Sequence, residues 1–236
     1  MTDTLEPTEL GAILGLFAHD LRNPLSALRS NLGFVASSDA TLDDDAREAL
    51  ADSSVSCDTL LRIIDNLDVF ARSLRGETLG RDGVSANNLL DEARAQHVDL
   101  AKSHAVTLVV EQVPPDKSPW LAVNAGAAAT ALSNLVRNAI QHAGGSGKVT
   151  VGLSADASKC VMRVEDSGLA IPEGGEEVAL SLVGQLTAKR DGCSRYSYGL
   201  GLYAASRSAE LAGGVLRVAS SNGKNVFELE LPVASE

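Results

Sequence analysis

The amino-terminal third of this chain carries two long runs of heptad-spaced apolar residues, and these runs constrain its fold more than any other feature. In each run the residues recur at alternating steps of four and three, which is typical of helices that pack lengthwise on one another. A short polar loop from 37 to 41 separates the runs, so residues from about 8 to 75 are predicted to form a helical hairpin. The first run consists of Leu10, Leu14, Phe17, Leu21, Pro24, Leu28 and Val35, with the polar Asn31 as its only interruption, and the second of Ala46, Leu50, Ser53, Cys57, Leu60, Ile64, Leu67, Ala71 and Leu74.

The length of the two predicted helices implies a partner for the hairpin. Each helix of about thirty residues is roughly 45 Å long at 1.5 Å per residue, and one hairpin cannot cover so long an apolar seam. We expect a homodimer in which two hairpins form a four-helix bundle. The alternative is a monomer whose seam packs against the carboxy-terminal part of the chain.

His19 is predicted to face water from the first helix. With Leu14 and Leu21 at a positions of the heptad, His19 occupies an f position, and Asp20 and Asn23 follow it within one turn. A neighbouring carboxylate can orient one ring nitrogen or take its proton, which raises the nucleophilicity of the other nitrogen, and the amide of Asn23 could position a water. Taken alone, a surface histidine beside an aspartate is more often part of a solvated helix face.

Composition excludes several classes of protein. No apolar run is long enough to cross a bilayer and the N-terminus lacks a basic signal-peptide start, so we expect a soluble, cytoplasmic protein without membrane insertion. The formal net charge of -11 argues against nucleic-acid binding. Cys57, Cys160 and Cys193 are odd in number and widely spaced, so free thiols are expected instead of disulfides or a zinc site.

The glycine-rich segment from Arg75 to Gly83 is out of register with the heptads and indicates an interdomain linker. Helices and antiparallel strands are mixed after it, which favours a two-layer α/β sandwich. The predicted organisation is α+β, with a helical hairpin at 1–76, a linker at 77–83 and a second domain at 84–236. The predicted elements are helices at Asn87 to Ser103, Val123 to Ala143 with Asn124 as a candidate cap, Glu176 to Thr187 and Leu200 to Ala212, and strands at Val106 to Val113, Val149 to Leu153, Cys160 to Glu165, Val215 to Ala219 and Val226 to Leu231, the last two joined around Asn222-Gly223.

Two asparagines on one predicted helix are candidate ligands for a magnesium nucleotide. Asn134 and Asn138 are four residues apart and so share a helical face. An amide oxygen can complete a magnesium shell beside phosphate oxygens without adding negative charge. Asparagine pairs also occur as caps or on hydrated faces, so this feature is weak in isolation.

Two glycine-containing turns complete a candidate nucleotide site. Asp166 ends an apolar strand and is followed by Gly168; such a carboxylate can accept from the exocyclic amine of adenine, while glycine lets the backbone approach the base. Further on, Gly199 and Gly201 open a predicted helix and offer backbone N–H groups to phosphate. Each turn alone is also common on ordinary surfaces.

The order and spacing of these four elements are specific, and the chain strongly resembles the bacterial sensor histidine kinases over essentially its whole length. The run at His19 resembles the family's H box, Asn134 to His142 its N box, Asp166 to Ile171 its G1 box and Gly199 to Leu202 its G2 box. The resemblance implies a dimerisation and histidine-phosphotransfer hairpin followed by a catalytic ATP-binding domain of the superfamily shared with DNA gyrase and mismatch-repair ATPases.

The resemblance also implies a role for each matching residue. His19 would be the phosphoacceptor, with Asp20 as its base partner and with Asn23 joining Asp20 in dephosphorylation of the partner regulator. Asn138 would coordinate Mg²⁺ and Asn134 would lie beside the phosphates of ATP. Asp166 would read adenine at the G1 turn with Gly168, and Gly199 and Gly201 would lie along the phosphates.

Several positions depart from the family pattern, and they cluster in the lid over ATP. Ala170 replaces the second G1 glycine, Gln141 stands where lysine is common, Ser197-Tyr198 replaces a further glycine, and no phenylalanine of an F box occurs between Ile171 and Arg195. Autokinase activity is therefore expected to be weak or conditional, since misplacement by about 1 Å can lower a rate on the order of a hundredfold. The alternatives are a histidine phosphotransferase that relays phosphate between receiver domains, and a non-catalytic, nucleotide-binding dimeric scaffold.

The expected partners follow from this interpretation. Phosphohistidine would pass its phosphoryl group to the receiver domain of a response regulator, docked near His19 with Ala27 and Ser30 as candidate contacts. Few residues precede the first helix, so input is expected from a separate sensor protein, from another surface of this protein, or from a region outside this sequence.

Overall fold

A computed structural model describes residues 6–37, 42–168, 171, 175–190, 200–221 and 224–234 of the chain. Its contacts divide it into two compact units, Met1–Glu77 and Thr78–Glu236. The first unit contains helices α1 (Pro7–Ser37) and α2 (Asp44–Leu74), which pack against each other along their length. The predicted helical hairpin is therefore confirmed.

Local sequence signals explain where α2 begins. The side chain of Asp43 accepts a hydrogen bond from the backbone N–H of Ala46 at 2.8 Å, so Asp43 is the N-cap. Asp44 and Asp45 place negative charge in the first turn, where the helix dipole favours it. Pro24 lies inside α1 without ending the helix.

The face of α1 that meets α2 differs from the predicted seam. Gly11 and Ala18 are the buried residues of α1, whereas Phe17 is 55% exposed and Leu21 is 50% exposed. On α2 the predicted seam does face α1, since Cys57, Ile64 and Ala71 are buried. Small residues let the two helix backbones approach closely. The residues of α1 that contact α2 therefore lie one position later in the chain than the large apolar residues of the predicted seam. Those residues remain exposed in the single chain; they are Leu10, Phe17, Leu21, Leu28 and Val35.

Gly11 fits this close contact because it has no side chain. A Cβ at Gly11 would lie 2.8 Å from the carbonyl oxygen of Ala71, and a guanidinium nitrogen of Arg75 donates to the carbonyl oxygen of Gly11 at 2.8 Å. Gly11→Ala should lower the free energy of unfolding by about 1–2 kcal/mol through overpacking. At Gly33, in the same helix, none of the described residues lies within 4 Å of the Cβ position, so Gly33→Ala should raise the free energy of unfolding by about 0.5–1 kcal/mol. Urea unfolding followed by circular dichroism measures both, and equal effects would contradict this account.

The second unit is an α/β sandwich built on one mixed sheet, which confirms the predicted fold class. Five strands are ordered β2-β4-β5-β7-β6, with β2 and β4 parallel and the other neighbours antiparallel. A separate pair of two-residue strands, β1 and β3, was not predicted. In chain order the elements are β1 (Val84–Ser85), α3 (Ala86–Ser103), β2 (Thr107–Val110), a 3-10 turn (Pro115–Lys117), β3 (Trp120–Leu121), α4 (Ala125–Ala143), β4 (Lys148–Ala155), β5 (Lys159–Asp166), α5 (Glu176–Leu180), α6 (Leu182–Arg190), α7 (Gly201–Leu211), β6 (Val215–Ser221) and β7 (Lys224–Pro232).

The helix α4 packs against α3 and α7 in the helical layer and against β5 of the sheet. Asn124 caps it by accepting from the backbone N–H of Ala127 at 3.0 Å, as the sequence predicted. Alternate residues of β5 and β7 point into the same core, among them Met162, Val164, Phe227 and Leu229. Asp166 therefore lies at the buried end of β5, on the face of the sheet that packs against the helices.

Two features are absent from the described residues. None of their helices combines the length and the apolar character that crossing a bilayer requires. Nor do these residues bring three or more histidine, cysteine or acidic side chains together in an arrangement suited to a metal ion.

Candidate functional site

His19 lies on the outer surface of α1, as its heptad position predicted. Its side chain is 69% exposed, and its Nδ1 atom lies 3.2 Å from an Asp20 carboxylate oxygen. A carboxylate accepts only, so this contact favours the tautomer in which Nδ1 donates and the Nε2 atom carries the lone pair. Asn23 is also exposed. The arrangement presents a nucleophilic nitrogen to any partner that reaches this face.

The two asparagines of α4 are both buried, with Asn134 6% exposed and Asn138 1% exposed. The amide nitrogen of Asn134 donates to the Thr130 carbonyl oxygen of the preceding turn at 3.1 Å. The amide of Asn138 is different, because neither its nitrogen nor its oxygen has a hydrogen-bond partner among the residues that the structure describes. A buried polar group without a partner carries a penalty of about 1–3 kcal/mol, which suits a group that awaits a ligand.

Asp166 occupies the last position of β5 and is 1% exposed. One of its carboxylate oxygens, Oδ1, accepts from the backbone N–H of Gly168 at 2.8 Å. The same oxygen accepts from the side-chain amide of Asn225 at 3.0 Å. The carboxylate is thus held by two donors at the point where the strand turns.

Gly168 brings the turn after β5 against the end of α4. A Cβ at Gly168 would lie 2.0 Å from the carbonyl oxygen of His142, a distance that no side chain tolerates. His142 is one helical turn beyond Asn138 on the same face. The missing side chain therefore lets the carboxy-terminal turn of α4, one turn beyond Asn138, meet the turn that follows Asp166.

Gly201 is buried at the first position of α7, and the N-cap Leu200 has a positive φ of 57°. A non-glycine residue in this left-handed region is uncommon and carries strain. The helix α7 packs against α4, so the predicted G2 helix borders the same helix as the asparagines. Gly199 lies outside the described residues.

The lid region contains two short helices where one was predicted. The helix α5 ends at Leu180, and α6 begins at Leu182. A Cβ at Gly184 would lie 1.8 Å from the carbonyl oxygen of Val178, so the two helices meet at a glycine. Other departures from the family pattern, Ala170 and Ser197-Tyr198, lie outside the described residues.

Sequence reasoning missed Asn225, a fully buried residue of β7. Its Nδ2 donates to Asp166, and its Oδ1 accepts from the backbone N–H of Ile171 at 2.7 Å. A signal was available, because Asn225 falls on the inward face of its strand together with Phe227 and Leu229. A polar residue among inward apolar ones indicates a buried hydrogen-bonding role.

Gly168→Ala tests the close contact at this turn. We expect the free energy of unfolding to fall by about 2–3 kcal/mol, because either the turn or the end of α4 must move. Gly145 is the matched control, since no residue that the structure describes lies within 4 Å of its Cβ position, and Gly145→Ala should stay within about 0.5 kcal/mol of the wild type. Chemical unfolding of both variants measures the difference, and a Gly168→Ala protein as stable as the wild type would refute the contact.

Two family models match the chain in the regions that carry these residues. Residues 10–76 match the His Kinase A (phospho-acceptor) domain, and residues 124–235 match the histidine kinase-, DNA gyrase B-, and HSP90-like ATPase domain. A phospho-acceptor helical hairpin followed by an ATPase sandwich defines the class. The chain belongs to the two-component sensor histidine kinase family.

Relatives and solved structures agree with this assignment. The sensor-type histidine kinase PrrB of Mycobacterium leprae is 31% identical over 207 residues, which is 86% of this chain and 43% of PrrB. The sensor histidine kinase ZraS of Escherichia coli is 27% identical over 233 residues, which is 95% of this chain and 46% of ZraS. The chain thus spans less than half the length of these curated relatives.

Two solved structures show the same fold. The crystal structure of full-length ShkA in complex with AMPPNP aligns with 95% of this chain and 46% of its own, at a TM-score of 0.67 and 21% identity. The catalytic domain of histidine kinase ThkA covers 67% of this chain and 100% of its own, at a TM-score of 0.56 and 22% identity.

Proposed function

We propose that this protein is an ATP-dependent protein histidine kinase that phosphorylates His19 and passes the phosphoryl group to an aspartate of a response regulator. The observation that carries this proposal is the buried amide of Asn138, which has no hydrogen-bond partner among the described residues and lies one helical turn before His142, whose carbonyl oxygen meets the turn at Gly168. A degenerate domain without a ligand would gain stability by replacing that amide with an apolar residue. Its retention beside a buried carboxylate supports a working nucleotide site.

The residues of the second unit suit a magnesium nucleotide. Asn138 would contribute its side-chain oxygen to Mg²⁺, which would neutralise charge on the phosphates. Asp166 would accept a hydrogen bond from the adenine amine, and Gly201 would offer a backbone N–H at the start of α7. Asn134 would lie beside the phosphates, and the same role is proposed for Gly199.

His19 would act as the nucleophile of the transfer. Its Nε2 atom would bond to the γ-phosphorus as the bond to the bridging oxygen breaks, which releases ADP. Asp20 would hold the Nδ1 proton and stabilise the positive charge that develops on the ring. The predicted linker at 77–83 would allow the nucleotide-bearing domain, 84–236, to reach the hairpin, 1–76.

Phosphohistidine would then be attacked by a carboxylate of the response regulator, docked on exposed residues near His19 such as Ala27 and Ser30. Asp20 and Asn23 also fit a phosphatase activity, in which the amide would position a water for attack on the phosphorylated regulator. Input would come from a separate sensor protein or from a region outside this sequence.

A homodimer is proposed because the large apolar residues of α1 remain exposed in the single hairpin. Phe34 is 75% exposed and Leu16 is 60% exposed, in addition to the predicted seam. A row of exposed large apolar residues along one side of a helix marks an interaction surface, and a second hairpin would cover the seam. Sedimentation equilibrium should give twice the chain mass of 24.5 kDa.

The proposed activity is tested with γ-labelled ATP and Mg²⁺, followed by a panel of receiver domains. Nucleotide-dependent thermal stabilisation together with acid-labile label that moves to a receiver supports the kinase. Transfer from a phosphorylated receiver without ATP binding would instead establish a phosphotransferase. Nucleotide binding without any labelling would instead indicate a non-catalytic dimeric scaffold.

A further inference from the structure

A buried asparagine on the strand opposite Asp166 has no assigned role. In the antiparallel pairing of β5 and β7, Asp166 is the direct partner of Asn225, so both side chains point to the same inward face. Asn225 is 0% exposed and Asp166 is 1% exposed. Burial of an amide beside a carboxylate is favourable only where the two are hydrogen-bonded.

The amide of Asn225 uses both of its ends. Its Nδ2 donates to the Oδ1 atom of Asp166 at 3.0 Å and approaches the carbonyl oxygen of Gly168 at 3.4 Å. Its Oδ1 accepts from the backbone N–H of Ile171 at 2.7 Å. One side chain therefore connects both ends of the turn, since Asp166 precedes it and Ile171 follows it.

The donor end of Asn225 fixes the orientation of the carboxylate. The Oδ1 atom of Asp166 accepts from the backbone N–H of Gly168 and from Asn225, and two donors on one oxygen define the rotation of the carboxylate plane. A carboxylate held in this way presents its second oxygen in one direction. That direction decides which hydrogen-bonding groups of a base can be read.

We propose that Asn225 is a positioning residue that sets the base selectivity of this site by orienting Asp166 as an acceptor for the 6-amino group of a purine. This inference rests on the proposed function, specifically on adenine recognition by Asp166. Asn225 acts through Asp166 and Ile171, and the phosphates are bound by other residues. Its loss should therefore weaken recognition of the base and spare the contribution of the triphosphate.

The test compares ATP with ITP, which carries a 6-oxo group in place of the amine. Asn225→Leu keeps the size and branching of the side chain and removes its hydrogen bonds to Asp166 and to the Ile171 N–H without adding a charge, while Asn225→Ala removes the side chain itself. Lys224→Ala is the matched control, since Lys224 is the exposed neighbour on the same strand. Dissociation constants for both nucleotides with Mg²⁺ are measured by calorimetry on the full chain, and thermal unfolding checks the fold of each variant.

We expect Asn225→Leu to weaken ATP binding by about 10- to 100-fold, as for loss of a hydrogen bond to a charged group. ITP binding should change by less than about threefold. The preference for ATP, given by the ratio of the ITP dissociation constant to the ATP dissociation constant, should therefore be largely lost. Equal losses for ATP and ITP in a folded variant would leave the ratio of the two dissociation constants unchanged. That result would show a purely structural role and overturn the inference. A wild-type protein that binds neither nucleotide would overturn the proposed function as well, which separates the two failures.

Discussion

The His19→Gln protein should incorporate no acid-labile phosphate from ATP, while its affinity for nucleotide should match that of the wild type. The glutamine amide lacks the basic ring nitrogen that must bond to phosphorus, so the rate should fall at least about a thousandfold, to background. His19 is exposed on the hairpin, and the residues proposed to bind nucleotide belong to the other unit. Binding and labelling should therefore separate completely in this variant.

The matched control for this experiment is His104→Gln. His104 is also an exposed histidine, at the end of α3, and its ring contacts Ser103 and the carbonyl oxygen of Leu100 at that helix end. Labelling should be unchanged in that variant. Label retained on His19→Gln, or lost from His104→Gln, would refute the assignment of His19 as the phosphoacceptor.

The hairpin could be predicted from periodicity, but the orientation of α1 could not. Heptad counting follows large apolar residues such as Phe17 and Leu21, and it gives no weight to Gly11 and Ala18. In the structure the small residues decide which face of α1 meets α2, because they allow the shortest distance between backbones. The large residues then remain exposed and available to another partner. A count of apolar positions cannot tell such an exposed surface from the contact within the hairpin.

The nucleotide site shows a similar division between local and distant information. The spacing of Asn134 and Asn138 along one helix, and the strand-turn pattern at Asp166, are local features that the sequence displays directly. Asn225 lies 59 residues from Asp166 and meets it only through the register of β5 and β7. A pairing of this kind follows from strand order, which the sequence alone left undetermined.

The strands β1 and β3 were missed for a different reason. Each contains two residues, so neither can show an alternating pattern. The backbone N–H of Asn87 donates to the hydroxyl of Ser118 at 3.0 Å next to this pair, a contact over 31 residues. Such short pairings depend on the surrounding fold for their stability.

The second large effect is expected at Asn138, where function and stability should change in opposite directions. Asn138→Leu replaces a buried amide that has no partner in the described part of the chain with an apolar group of similar branching. The free energy of unfolding without nucleotide should rise by about 1 kcal/mol, which corresponds to about 2–4 °C in the midpoint of thermal unfolding. Stabilisation by ATP and Mg²⁺ should disappear, because the side-chain oxygen proposed to hold the metal is gone.

Ser208→Ala is the matched control for Asn138→Leu. Ser208 lies on α7, is 0% exposed, and its hydroxyl also has no hydrogen-bond partner in the described part of the chain. Its replacement should raise the midpoint of thermal unfolding to a similar or smaller extent and leave the ATP-dependent shift intact. Differential scanning calorimetry with and without ATP and Mg²⁺ measures both quantities for the two variants. If Asn138→Leu kept the nucleotide-dependent shift, or lowered the stability of the free protein, the unpartnered amide would not be the ligand group proposed for it.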